Sequence, residues 1–328
     1  MQQNSKKILI GYVCAVSASF LWGFHSVAIR WLIKDGVNPF LIGDLRLLIG
    51  SAALALTVLI WDLAMRKPVS SLCVPYSKFF WLIAISLAAN FLFFHKGLEY
   101  TIASDAILLE AFSPVMVLLI MMIFIPQRIH HLIKHPELPK RVIQTVIIGS
   151  IGSALLLIND PKDILTASSV KLMGDVIEFV AMIAWALVLL SMHEYQQREK
   201  NHNSLAATAQ FLFFAGLFLA PFVPWIEVTK ITGQEFFWIM VLGIGSTSMS
   251  YSLWHVASKY LDIFPLLTIF NLASIFTVIT ESMVLGLKVS WTLLIGGAFI
   301  LYAAMKAKLI NSQYRIMEEK EQMEPHNP

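Results

Sequence analysis

The stretch SDAILLEAFSPVMVLLIMMIFIP, Ser104 to Pro126, carries a carboxylate among apolar neighbours: between Ala106 and Ile125 the exceptions are Glu110, Ser113 and Pro114. A charge at the centre of a bilayer costs at least about 2.5–3.5 kcal/mol on insertion scales, so such a residue faces protein or water and has a role there. For Glu110 that role is to bind a proton or the cationic part of a substrate, or else to pair with Arg46, a second charge inside an apolar stretch. Its depth, about seven residues or about 10 Å at helical rise, rules out an easy reach to the interface. His25, Asp44, Glu178 and Glu281 sit in similar surroundings and, with Arg46, fall on one side of the midplane. Facing one another, they would form a mixed-charge vestibule in which His25 either handles a proton or packs as a hydrogen-bonded ring. Glu178 and Glu281, near the ends of their stretches, read more readily as interfacial groups.

Nearer the midplane come Asn90, Asn271 and the run GIGSTSMSYSLW, Gly243 to Trp254. Small and hydroxyl residues let helices approach closely, and Tyr251 and Trp254 add aromatic faces with polar tips. The candidate set for substrate binding or coupling is therefore Glu110, Asn90, Asn271, Tyr251, Trp254, His25, Arg46 and Ser250. The asparagines either line a cavity or join helices, a bond worth about 0.6 kcal/mol on average. His95 and His255 read as residues at helix ends, or as gates there. Pro114 and Pro265 remove helix hydrogen bonds and mark kinks or hinges.

These residues need membrane helices to hold them. The chain has 328 residues, 57% of them hydrophobic and 14% charged, with a mean hydropathy of +0.71; soluble domains carry about 25% charged residues. Ten stretches are long and apolar enough to cross about 30 Å of hydrocarbon: 8–33, 40–62, 78–98, 103–125, 142–159, 174–194, 205–225, 236–256, 262–284 and 289–309. The first continues well beyond the apolar region of a signal peptide and reads as a retained helix. With the N-terminus inside, cytoplasmic segments hold 16 of the 24 Lys and Arg residues and the opposite side 7, with Arg46 in the membrane. That bias places both termini in the cytoplasm. The residues from 310 to 328 form a charged tail.

Several classes are disfavoured. Cys14 and Cys73 have no spacing that suggests a disulfide framework. His130, His131 and His135 lie in a basic loop where adjacent histidines would face different sides of a helix, so no metal site is expected. No HExxH, GxSxG or Walker motif is present, so neither an enzyme nor a cofactor is expected.

The chain also repeats. FFHKGLEYTIASDA (Phe93 to Ala106) laid over LWHVASKYLDIFPL (Leu253 to Leu266) aligns His95 with His255 and Tyr100 with Tyr260, and Trp22 and Trp185 fall at nearly the same offset. Two halves of five spans each, 8–159 and 174–309, must enter the membrane from opposite sides. Inverted repeats are an architecture of secondary transporters, with the substrate near the midplane between the halves.

FLWGFHSVAIRW, NPFLIGDLRLLIGSAAL, GLEYTIASDAILLEAFSPVMVLL and LGLKVSWTLLIGGAFILYAAMKAK resemble the EamA repeats of the drug/metabolite transporter superfamily, over about residues 10 to 308. The resemblance implies an all-α integral membrane carrier of ten helices with a central cavity. It matches Trp22 and Gly23, Arg46, Pro114 and Gly296, while Leu287 stands where the family usually has Glu. Export of a small polar metabolite such as an amino acid, a place in the bacterial inner membrane and a homodimer are what it implies, and the buried Glu110, with His25, adds proton coupling to that reading. A carrier of a cofactor-like metabolite such as S-adenosylmethionine is the alternative, and a non-transporting membrane subunit is the reading of another class. Nucleic acid is not an expected partner.

Overall fold

The computed structural model of the chain describes residues 2–66, 73–101, 106, 109, 110, 112–124, 137–157, 169–199, 202–285, 291, 294–306, 309 and 310. All regular structure among them is helical. The helices are α1 (Gln2–Lys34), α2 (Pro39–Ala64), α3 (Lys78–Tyr100), α4 (Ser113–Phe124), α5 (Glu137–Leu157), α6 (Ser169–Arg198) and α7 (Ser204–Leu219). They are followed by α8 (Gly233–Tyr260), α9 (Ile263–Val284) and α10 (Leu294–Lys306). Seven of these, α1 to α3 and α6 to α9, are long and apolar enough to cross a bilayer. The loop histidines His130, His131 and His135, the side chain of Glu281, and Leu287 lie outside the described residues.

Local chemistry sets the helix starts. Asn38 accepts from the amides of Phe40 and Leu41 at 3.0 and 3.4 Å, ahead of Pro39 at the first helical position of α2. Asn203 caps α7 in the same way. Thr232 and Glu235 form a reciprocal capping box at the start of α8. The residues that turn outward include Ile60, Trp61, Ile123, Phe124, Met283 and Trp291. Serines, threonines, asparagines and histidines turn inward instead, an arrangement that suits a hydrocarbon solvent.

The most extensive contacts join helices distant in sequence: α1 packs on α8 and α9, α6 on α3 and α4, and α2 on α7, while α2 also meets the middle of α8 and α7 meets α3. Glycines permit the closest crossings. A Cβ on Gly23 would lie 2.5 Å from Phe276 Cβ and 2.7 Å from the Ala273 carbonyl of α9. One on Gly152 would lie 2.8 Å from the Gly296 carbonyl of α10.

Two helices are interrupted at related places. The chain turns at Phe112 between the helical residues Leu109 and Glu110 and the start of α4, because Pro114 has no N–H and its ring excludes the carbonyl four residues earlier. In α9 the interruption falls at Asn271, between Ile263–Phe270 and Leu272–Leu285. Pro265, expected as a kink or hinge, instead occupies the first turn, where an absent N–H breaks no bond. A third irregularity is the π-helical segment Leu242–Met249 within α8, which falls on the hydroxyl-rich run.

Candidate functional site

Arg46 enters from the second turn of α2 and is 2% exposed, so its charge must be met by protein. Its Nη1 lies 3.1 Å from His95 Nε2, and its Nη2 donates to Ser246 Oγ at 3.3 Å. A guanidinium has no acceptor, so His95 Nε2 accepts and the His95 proton resides on Nδ1, which donates to the Phe91 carbonyl at 2.8 Å. The guanidinium carbon also lies 5.1 Å from the Phe91 ring centroid, a cation–π distance. The π-helical segment explains the reach of Ser246: it brings α8 against α2 so closely that a Cβ on Gly50 would lie 2.8 Å from the Gly243 carbonyl.

This group forms one wall of a central cavity that is also lined by Trp22, His25, Asn90, Glu110, Trp185, Tyr251, Phe270 and Ser274. Asn90 donates to the Ala181 carbonyl at 3.1 Å and shares the cavity with Glu110, whose residue is 7% exposed. His25 bonds through Nδ1 to the carbonyl of Trp22, and its ring lies tilted against Phe94 at 5.5 Å. The floor is aromatic: Trp22 lies 5.0 Å from Trp185, 5.5 Å from Tyr251 and 5.8 Å from Phe270, ring centre to ring centre. The indole N–H groups of Trp22 and Trp185, and Nε of Arg46, are buried without a hydrogen-bond partner. The cavity measures ≈ 20 Å³, on a scale where one water needs about 10–15 Å³. In this conformation the space is therefore too small to hold a metabolite.

Five of the eight expected residues, Glu110, Asn90, His25, Arg46 and Tyr251, meet here. The other three do not line the cavity. Trp254 is fully buried behind Trp22 at 5.2 Å. Ser250 turns its hydroxyl back to the carbonyls of Ser246 and Thr247. Asn271 faces α5, where its Nδ2 would lie 2.6 Å from a Cβ on Gly149. Arg46 takes His95 and Ser246 as partners rather than the expected Glu110, which shares the cavity with it.

Among the described residues, two carboxylates of the expected mixed-charge vestibule stand outside the cavity. Asp44 packs toward Gly216 of α7, and Glu178 packs against Gly97 of α3. His95, expected at a helix end, is instead 1% exposed in the centre. His95, Trp22 and Trp185 line the cavity although the only sequence signal they share is their alignment across the repeat. His255 forms a separate cluster, with Nδ1 at 3.1 Å from Thr208 Oγ1 and Nε2 at 3.3 Å from His202 Nε2.

The model of the EamA-like transporter family matches residues 9–133 and again 172–306. The chain thus belongs to the EamA-like transporter family, within the drug/metabolite transporter superfamily, and its class is membrane transporter. Curated proteins yield no match. Of 28 matching solved chains, one described as "Crystal structure of protein" aligns at a TM-score of 0.68 and 18% identity, over 94% of this chain and 99% of the other. That likeness shows a shared fold.

Proposed function

We propose that this transporter carries a small zwitterionic or cationic metabolite, with amino acids and related compounds as the leading class, by alternating access around the central cavity. The observation that carries the reading is the pairing of opposite chemistries in one small space: Glu110 with Asn90, and Arg46 with the unpartnered indole N–H groups of Trp22 and Trp185. A substrate ammonium would meet Glu110 and the aromatic faces. Its carboxylate would meet Arg46 and the indoles. Interruptions at Phe112 and Asn271, beside Glu110 and Phe270, agree with the use of broken helices at transporter sites.

The architecture we infer has ten spans in two inverted halves, 8–159 and 174–309, with both termini in the cytoplasm of a bacterial inner-membrane protein that works in export. The reciprocal packing of α1 on α8 and α9, and of α6 on α3 and α4, supports it. Glu110 is the coupling group, taking up a proton when it is not facing substrate.

The test is transport by purified protein in liposomes loaded with a mixed pool of labelled amino acids and nucleoside-like metabolites, under an inside-acid gradient. Wild type should move at least one compound in response to the gradient, and Glu110→Gln should move it without pH dependence. If the wild type moves nothing, the carrier reading fails. If the mutant matches wild type throughout, Glu110 is a structural group.

A further inference from the structure

A second carboxyl is buried more completely than Glu110 and has no part in the cavity. Glu178 is 0% exposed in α6, and neither of its oxygens has a hydrogen-bond partner. It lies against the α3 backbone at Gly97, where an added Cβ would fall within 2.6 Å of its Cγ and Cδ. Glu110 and Asp175, both acidic, lie close enough to act on it, while the Arg30 guanidinium of α1 is turned to the Leu98 carbonyl, one residue beyond Gly97. Lys96 and Glu99, on α3 either side of Gly97, are partly exposed and paired with each other at 2.5 Å. Tyr100 packs on Gly174. No cation or donor meets the Glu178 carboxyl among the described residues, and an ionised carboxylate so placed is expensive.

Asp175 stands one turn before Glu178 on the same face of α6, about 4.5 Å along the axis. It is half-buried and accepts from Thr101 Oγ1 at 3.1 Å. Ala181, three residues beyond Glu178 on α6, accepts from Asn90 of the cavity wall, so the series Asp175, Glu178 runs from the end of the bundle where α3 stops and α6 begins toward the wall that holds Glu110.

We propose that Glu178 is a proton-binding site, the middle member of a carboxyl relay that supplies Glu110. While α3 and α6 are in contact it holds a proton as the neutral acid. When they part, the O–H bond of Glu178 breaks as one forms on Glu110, and Glu178 is recharged from Asp175. Gly97 is the counter-surface that lets the acid shelter against backbone. The relay rests on the carrier reading above, whereas the bound proton is detectable without any transport.

The test uses the full-length protein in lipid nanodiscs at neutral pH. In a Glu110→Gln background, infrared difference spectra should show the C=O stretch of a protonated carboxylic acid that adding Glu178→Gln removes and Glu178→Asp displaces. An identical band in all three overturns the site, and so does the absence of any such band in Glu110→Gln. With Glu110 intact, a pH jump read by tryptophan emission from Trp22 and Trp185 should be slowed about tenfold or more by Glu178→Gln, and in the same direction by Asp175→Asn. An unchanged rate overturns the relay, even if transport by the wild type has been demonstrated. Loss of transport with band and rate intact would count against the carrier reading alone.

Discussion

Arg46 combines a permanent charge with near-complete burial, so its geometry matters more than its sign. Its planar fork reaches His95 and Ser246 together, which the point charge of lysine cannot do. Arg46→Lys should therefore fold, as judged by thermal unfolding in detergent, yet lose most substrate movement in the liposome assay. Arg46→Ala strands His95 Nε2 and Ser246, and should cost about 1–3 kcal/mol of stability as well. The His202–His255 contact gives a pH prediction. His202 lies in the connection between α6 and α7, and burial pushes its imidazole below the ordinary histidine range. The folded state then binds fewer protons at this site than the unfolded chain, so stability rises with pH. Melting temperature should fall as pH drops below about 6.5, and His202→Gln should flatten that part of the curve.

At the scale of elements, close crossings at glycine set the helix pairs. Gly23 leaves no room for a methyl group between α1 and α9, so Gly23→Ala should cost about 1–3 kcal/mol. Unfolding midpoints of purified variants would show it, with Gly233→Ala, which has open space around it, as the control. Seven of these elements are legible in the sequence because their apolar stretches are long enough to cross a bilayer, and α2, α7 and α8 begin at side-chain caps. The facing of polar residues was less so. A π-helical segment shifts the register of every side chain after it in α8. Residue type alone points to Tyr251, which lines the cavity, but cannot show that Ser250 and Trp254 turn away from it. The interruption at Asn271 has no proline or glycine to announce it. Glu178 looked interfacial because sequence distance from a helix end says nothing about the neighbouring helix that covers it. The same holds for His95, because α3 runs on to Tyr100 and α2 lies over the ring at Gly43.

At the scale of the whole molecule, the two family-matched segments are repeats in sequence but not independent bodies in packing. Their broadest contacts run from one segment to the other. Residues 1–165 expressed alone should be degraded or aggregate, and so should 166–328, whereas co-expression should restore a monodisperse complex on size-exclusion chromatography. Recovery of either half as a stable membrane protein would contradict that packing. The small volume of the central cavity has a practical consequence for ligand discovery. A compound that fits the open form must first draw the protein out of the closed one, and its apparent affinity falls by the fraction of molecules already open. Equilibrium binding screens will therefore rank true cargo as weak. Variants that loosen the Trp22–Trp185 contact should bind the same compounds more tightly without gaining a single new contact to them.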